Sequence, residues 1–98
     1  MRELAGRFFP AEELDKAVLV AWCESGYDPN AYNPVGPYGG LYQHAEIYWP
    51  PRATAAGYPG ASIFDAEANT AASHWLWLIN GWQPWPYCSA WADGQLAG

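Results

Sequence analysis

Two stretches of the chain carry helical periodicity. In the first, from Pro10 to Glu24, Leu14, Ala17, Val18 and Ala21 recur at i, i+3, i+4 and i+7, which makes one face apolar. Pro10 suits the start of this helix, Glu12, Glu13 and Asp15 stand near the positive end of its dipole, and Gly26 is its stop. Phe8 and Phe9 precede it and can staple its first turn. In the second, from Ala66 to Ile79, the apolar stripe is Ala68, Ala71, Ala72, Trp75, Leu76 and Ile79. Asp65 is its N-cap, Glu67 lies in its first turn and Asn80-Gly81 ends it.

The segment between these helices has no period. Residues 26–40 are punctuated by Gly, Pro, Asn and Asp and read as loop, with a tight hairpin compatible but not required. A short helix is predicted from about Gln43 to Trp49, ended by Pro50-Pro51, and a second short turn from Arg52 to Ala56, stopped at Gly57. The tail from Trp82 to Gly98 reads as irregular. The pattern predicts one mainly α domain, α+β at most, with a long loop or small hairpin between its main helices. So long a stretch without regular structure in so small a domain is commonly functional.

Composition narrows the function classes. The 98 residues leave room for one domain. A net charge of −6 argues against a general nucleic-acid binder, which needs a basic stripe, and against docking on anionic lipid. The longest apolar run, Ala17 to Cys23, is far shorter than the roughly 20 residues of a membrane span. No basic stretch followed by an apolar run and a small-residue cleavage site opens the chain, so no secretory signal is visible. Aromatic residues make up 17% of the chain, more than its core alone is expected to need. Tyr32, Tyr38, Tyr42, Tyr48 and Trp49 stand in polar, Gly/Pro-rich sequence. A flat apolar face with a polar handle there suits a sugar ring, and equally a protein-binding patch.

Glu24 is the focus for chemistry. It lies in the last turn of the first helix, at the edge of the apolar stripe. Partial burial and the negative end of the helix dipole both disfavour its ionised form, which is what a general acid near neutral pH requires. An ordinary exposed carboxylate at a helix end is the plain alternative. Cys23 with His44 or His74 would be a thiol–imidazole pair, but a nucleophilic cysteine prefers a helix N-terminus and Cys23 is at the other end. His44, Glu46 and His74 match no strong metal-ligand spacing, and neither a metal nor an organic cofactor is expected. Cys23 and Cys88 are too far apart for a CxxC motif; a disulfide and two separate buried thiols remain equal readings of the residues themselves.

The run Ala21-Trp22-Cys23-Glu24-Ser25-Gly26, followed by Asp28-Pro29-Asn30-Ala31, resembles the first motif of lysozyme-like soluble lytic transglycosylases. Gly40-Leu41-Tyr42-Gln43 is similar to their Gly-Leu-x-Gln motif, and Asp65 through Asn69 to the Asp-x-x-x-Asn start of a later helix. The Cys beside Glu24, Tyr38-Gly39-Gly40-Leu41 and the closing Gly81-Trp82-Gln83-Pro84-Trp85-Pro86-Tyr87-Cys88 resemble the actinobacterial resuscitation-promoting-factor branch. The likeness covers roughly residues 8–90, lacks a later Ala-Tyr-Asn-Ala-Gly motif, and places His44 where hydrophobic or hydroxyl residues are common.

The resemblance implies a lysozyme-like fold, a Cys23–Cys88 disulfide, and cleavage of the β-1,4 bond after N-acetylmuramic acid in peptidoglycan. Glu24 would be the catalytic acid and base. Asn33, Tyr38, Gln43, His44 and Asn69 would be substrate-binding residues, in a groove formed by residues 26–49. Asp28 and Glu46 are the only other acids near that groove. One carboxylate without a partner favours attack by the substrate's own N-acetyl group and a 1,6-anhydro product, whereas a second acid would hold a water and give hydrolysis. The implied partner is the glycan strand, met outside the cytoplasm by a monomer or by part of a larger wall-targeted or virion protein. The rival readings are a non-catalytic glycan-binding module on the same fold and a structural protein with its Trp-rich tail as a partner surface.

Overall fold

In the computed structural model, which describes residues 1–98, the chain opens with a five-residue helix, α1 (Arg2–Gly6), too short for periodicity to reveal. Helix α2 (Ala11–Ser25) follows the predicted span. Pro10 is its N-cap, and Gly26 closes it in the left-handed conformation at φ 63°, its N–H bonded to the Trp22 carbonyl at 2.8 Å. The buried face is broader than the predicted stripe and includes Val20, because α2 packs on both α1 and a terminal helix, α5 (Pro86–Ala97).

Between α2 and α4 (Ala66–Asn80) lies a small antiparallel sheet of three two-residue strands in the order β1 (Tyr32–Asn33), β2 (Tyr38–Gly39), β3 (His44–Ala45). Tyr32 pairs with Gly39 and Gly39 with His44; Asn33 pairs with Tyr38 and Tyr38 with Ala45. The fold is mainly α with a small hairpin-based sheet, as the pattern predicts.

Four expectations are corrected. The segment from Gln43 is not a helix: β3 leads into a 3-10 turn (Glu46–Tyr48) and then helix α3 (Trp49–Ala55). Pro50 and Pro51 begin this helix rather than end the one before, because the first helical positions need no N–H donor. The tail is helical from Pro86 onward. Cys88 and Ala92 bury its inner side on α2, and Lys16 of α2 reaches Asp93 at 2.8 Å, so α5 is held by tertiary contacts. In α4, Ile79 is exposed, while Asn69, Thr70 and Ser73 are buried beside the predicted alanines. This half of α4 runs between α3 and the sheet turn, and its polar groups find partners inside.

Cys23 and Cys88 form a disulfide, with Cα atoms 5.6 Å apart, between the last turn of α2 and the first turn of α5. Such a bond fits folding in an oxidising compartment. The main core gathers Phe9, Val18, Val20, Leu41, Tyr42, Leu76 and Trp85; a smaller one joins Trp49, Ala53, Ile63, Ala68 and Ala72. Phe9 lies among Tyr42, His74, Trp77 and Trp82, stacked on Trp82 at 5.5 Å. No helix is long and apolar enough to cross a membrane.

Candidate active site

Helix α2 delivers Glu24 to its end, one residue before Ser25, whose hydroxyl donates to the Ala21 carbonyl at 3.1 Å. Cys23, tethered to α5, anchors the same turn. The Glu24 side chain is half-buried, and no cation or hydrogen-bond donor of the protein is bound to its carboxyl. Burial raises its pKa from 4.5 to about 7. The negative end of the helix dipole acts in the same direction. The group is therefore substantially protonated at neutral pH and has a proton to give.

The loop after α2 is shaped by its own polar groups. Asp28 Oδ1 accepts from the Asn30 N–H at 2.9 Å and the Ala31 N–H bonds to the Asp28 carbonyl at 3.2 Å, a turn that its Asx chemistry favours. The Ala31 carbonyl then accepts from the Gly40 N–H at 2.9 Å and from Gln43 Nε2 at 3.2 Å; the same amide donates to the Gly40 carbonyl at 2.9 Å. Gln43 thus ties this loop to the turn after β2. It does so from the left-handed region, φ 53°, a conformation that costs a non-glycine residue energy and that clusters at functional sites.

Gly40 shows why the Gly-Leu-x-Gln pattern begins with glycine. Its φ is +83°, and a Cβ there would collide with the Asn69 amide and the Ile63 carbonyl. Asn69 is fully buried in that space. Its Oδ1 accepts from the Tyr42 N–H at 2.9 Å, and its Nδ2 donates to the carbonyls of Ile63 at 2.9 Å and Gly39 at 3.3 Å. Asp65 caps α4 through the Ala68 N–H at 2.8 Å and sets the helical register that brings Asn69 there. The Asp-x-x-x-Asn pattern is thus a clamp of α4 on the β2–β3 turn, and Asn69 is removed from any groove. Asn69→Ala leaves one buried donor and two acceptors short of this partner. It is expected to lower stability by about 3 kcal/mol, read from the denaturation midpoint; a loss below about 1 kcal/mol would show that the clamp is dispensable.

His44 is placed inside as well. The Ser73 hydroxyl donates to the Asn69 carbonyl at 2.8 Å, so the 2.8 Å contact between His44 Nε2 and Ser73 Oγ has the imidazole as donor. His44 Nδ1 accepts from Arg52 Nη1 at 3.1 Å. These partners assign the neutral tautomer with the proton on Nε2. Burial and then the Arg52 charge lower the His44 pKa from 6.5 to about 3. Neither a groove contact nor a base role for Cys23 is available to it.

Of the aromatics expected to line a site, Tyr42 and Trp49 belong to the core. The Tyr42 hydroxyl donates to the Ala17 carbonyl at 2.9 Å, and Trp49 Nε1 donates to the Ala61 carbonyl at 2.8 Å. Tyr32, Tyr38 and Tyr48 are exposed. Asn33 and Tyr38 share one rung of the sheet and both are exposed; Asn33 Oδ1 accepts from the Val35 N–H at 3.0 Å. Sequence reasoning gave no role to the exposed pair Trp22 and Tyr27, which flank Glu24 along the chain with ring centroids 5.2 Å apart.

Two sizeable concavities exist, of about 480 and 460 Å³, and Glu24 lines neither. The first is walled largely by Leu4, Val18, Tyr27, Pro29 and Leu41. Of the other two acids in the segment, Asp28 is engaged in its turn, and Glu46 Oε2 accepts from the Tyr32 hydroxyl at 3.3 Å. Compared with protein-family models, curated proteins and solved structures, the chain finds no match.

Proposed function

We propose that the protein cleaves the β-1,4 bond between N-acetylmuramic acid and N-acetylglucosamine in peptidoglycan, with Glu24 as general acid and then base. One observation carries this reading: a half-buried carboxylic acid with no ion-pair partner, its pKa raised to about 7, at the C-terminal end of a helix. Glu24 protonates the glycosidic oxygen as the bond breaks, and the resulting carboxylate takes a proton back from the attacking hydroxyl. Exposed Asn33 and Tyr38 on the sheet, and Gln43 in the loop beside it, are the proposed contacts to the strand. A site outside both concavities suits a polymer, which must lie across a surface.

With Asp28 and Glu46 both engaged elsewhere, Glu24 acts without a second carboxylate. Attack then comes from within the substrate, and the product carries a 1,6-anhydro ring. Mass spectrometry of fragments released from purified peptidoglycan tests this directly, with anhydro-muramic ends expected. Reducing muramic ends would replace the reading with hydrolysis by a muramidase. No fragments from several wall types would leave a glycan-binding module.

A further inference from the structure

The concavity of about 460 Å³ opens between the sheet and the segment joining α3 to α4. Tyr32, Trp49 and Phe64 line it together with the carboxylate of Glu46. The rings of Tyr32 and Phe64 stand 6.3 Å apart at 58°, and both are exposed although large and apolar.

The polar groups of this pocket are unequal. The Tyr32 hydroxyl is spent on Glu46, and the Trp49 N–H on the Ala61 carbonyl, which leaves the Ser62 hydroxyl as the one free side-chain donor. The lining holds one acidic residue, three aromatic residues and no basic one, so the pocket accepts hydrogen bonds and attracts positive charge. An alkylammonium has three donors and no acceptor; a sugar hydroxyl needs both kinds of partner.

The chain's four basic side chains are engaged elsewhere. Arg2, Arg7 and Lys16 pair with Asp15, Glu67 and Asp93. Arg52, the fourth, bonds His44 and lies over the Tyr48 ring at 5.3 Å. Glu46 is left with a tyrosine hydroxyl and no counter-ion.

We propose that this pocket binds a primary ammonium on an aliphatic chain, the side-chain amine of a lysine-like residue in a peptide, with Glu46 as counter-ion and the Tyr32 and Phe64 rings as its aromatic wall. The two rings touch as a tilted pair, so they stand side by side along one wall, and a cation binds within about 6 Å of the centroid of such an exposed ring. Ile63 and Pro50 offer apolar surface to the methylenes. On peptidoglycan the amine would belong to the peptide stem, and that link rests on the function proposed above; the cation site does not.

The test is an NMR titration of the full chain with Nα-acetyl-lysine methylamide, its Nε-acetylated form and an N-acetylglucosamine tetramer. The amine is expected to shift the resonances of Tyr32 and Phe64, and to bind roughly tenfold more tightly than its Nε-acetylated form. Glu46→Gln removes that preference and Phe64→Ala weakens the binding severalfold. Equal binding of the acetylated probe, shifts remote from those rings, no shifts at all, or unchanged affinity in Glu46→Gln would overturn the proposal. Tighter binding of the tetramer at the same rings would make the pocket a sugar subsite and overturn it too. The titration needs no cleavage, and Glu24→Gln protein is expected to bind the amine unchanged, so failure of this site and failure of the proposed function are read separately.

Discussion

Glu24→Gln is expected to lower peptidoglycan cleavage by on the order of 10³-fold and, at the same time, to make the fold more stable above neutral pH. The amide keeps the shape of the acid and has no acidic proton to transfer. The stability effect follows from the raised pKa, about 7 in the folded chain against 4.5 for the free group. Below pH 4.5 both states hold the proton and the group costs nothing. Between 4.5 and about 7 the unfolded chain ionises first, so stability falls as pH rises; above that range the full cost remains. Glutamine never ionises. After discounting for the solvent that reaches the side chain, the variant gains on the order of 2 kcal/mol above pH 7 and nothing at low pH. Melting curves at pH 4 and pH 8, beside turnover of purified walls, read both effects. On the proposed mechanism, the activity of the unaltered protein is expected to fall as pH rises through about 7, where the acid is lost. Near-normal turnover in the variant would remove Glu24 from the mechanism. Variant and parent melting together at both pH values would show that its carboxyl is not held protonated by the fold.

Opening the Cys23–Cys88 bond should have the largest effect on stability. The two cysteines are 65 residues apart in sequence, and closing a loop of that length removes about 4 kcal/mol of freedom from the unfolded chain in the entropy model. That is a large share of the margin of a domain of this size. Calorimetry with and without reductant, or of the paired Cys23→Ser and Cys88→Ser replacements, should show a fall in melting temperature of roughly 15–25 °C. A fall of only a few degrees would mean that Trp85, Ala92 and the Lys16–Asp93 pair already hold α5 against α2. The bond also bears on the site. Cys23 adjoins Glu24, and a loosened helix end lets water in, which returns the carboxyl toward its ordinary pKa. In whatever fraction stays folded, the upper limb of the pH–activity profile should then move to lower pH.

The parts of the molecule legible in the chain are those with local causes. Pro10, the i, i+3, i+4 spacing and Gly26 define α2, and Asp65 caps α4, each acting within a few residues of itself. The same signals put Glu24 at a helix end. The disulfide pairing was legible only through the likeness to a family, since spacing alone allows two free thiols. What spacing could not reveal is which polar residues turn inward. Asn69 is buried because Tyr42, Gly39 and Ile63 supply its partners from two other segments, and His44 because Ser73 and Arg52 flank its ring. The likeness assigned both to substrate, whereas the structure uses both to hold the sheet turn against α3 and α4. The direction of the Glu24 shift follows from its place at the helix end, but its size, the helix in the tail and the Tyr32–Phe64 pocket exist only once distant segments meet. Periodicity and capping act along the chain; burial, desolvation and the pairing of buried polar groups act through space, and only the assembled fold decides them.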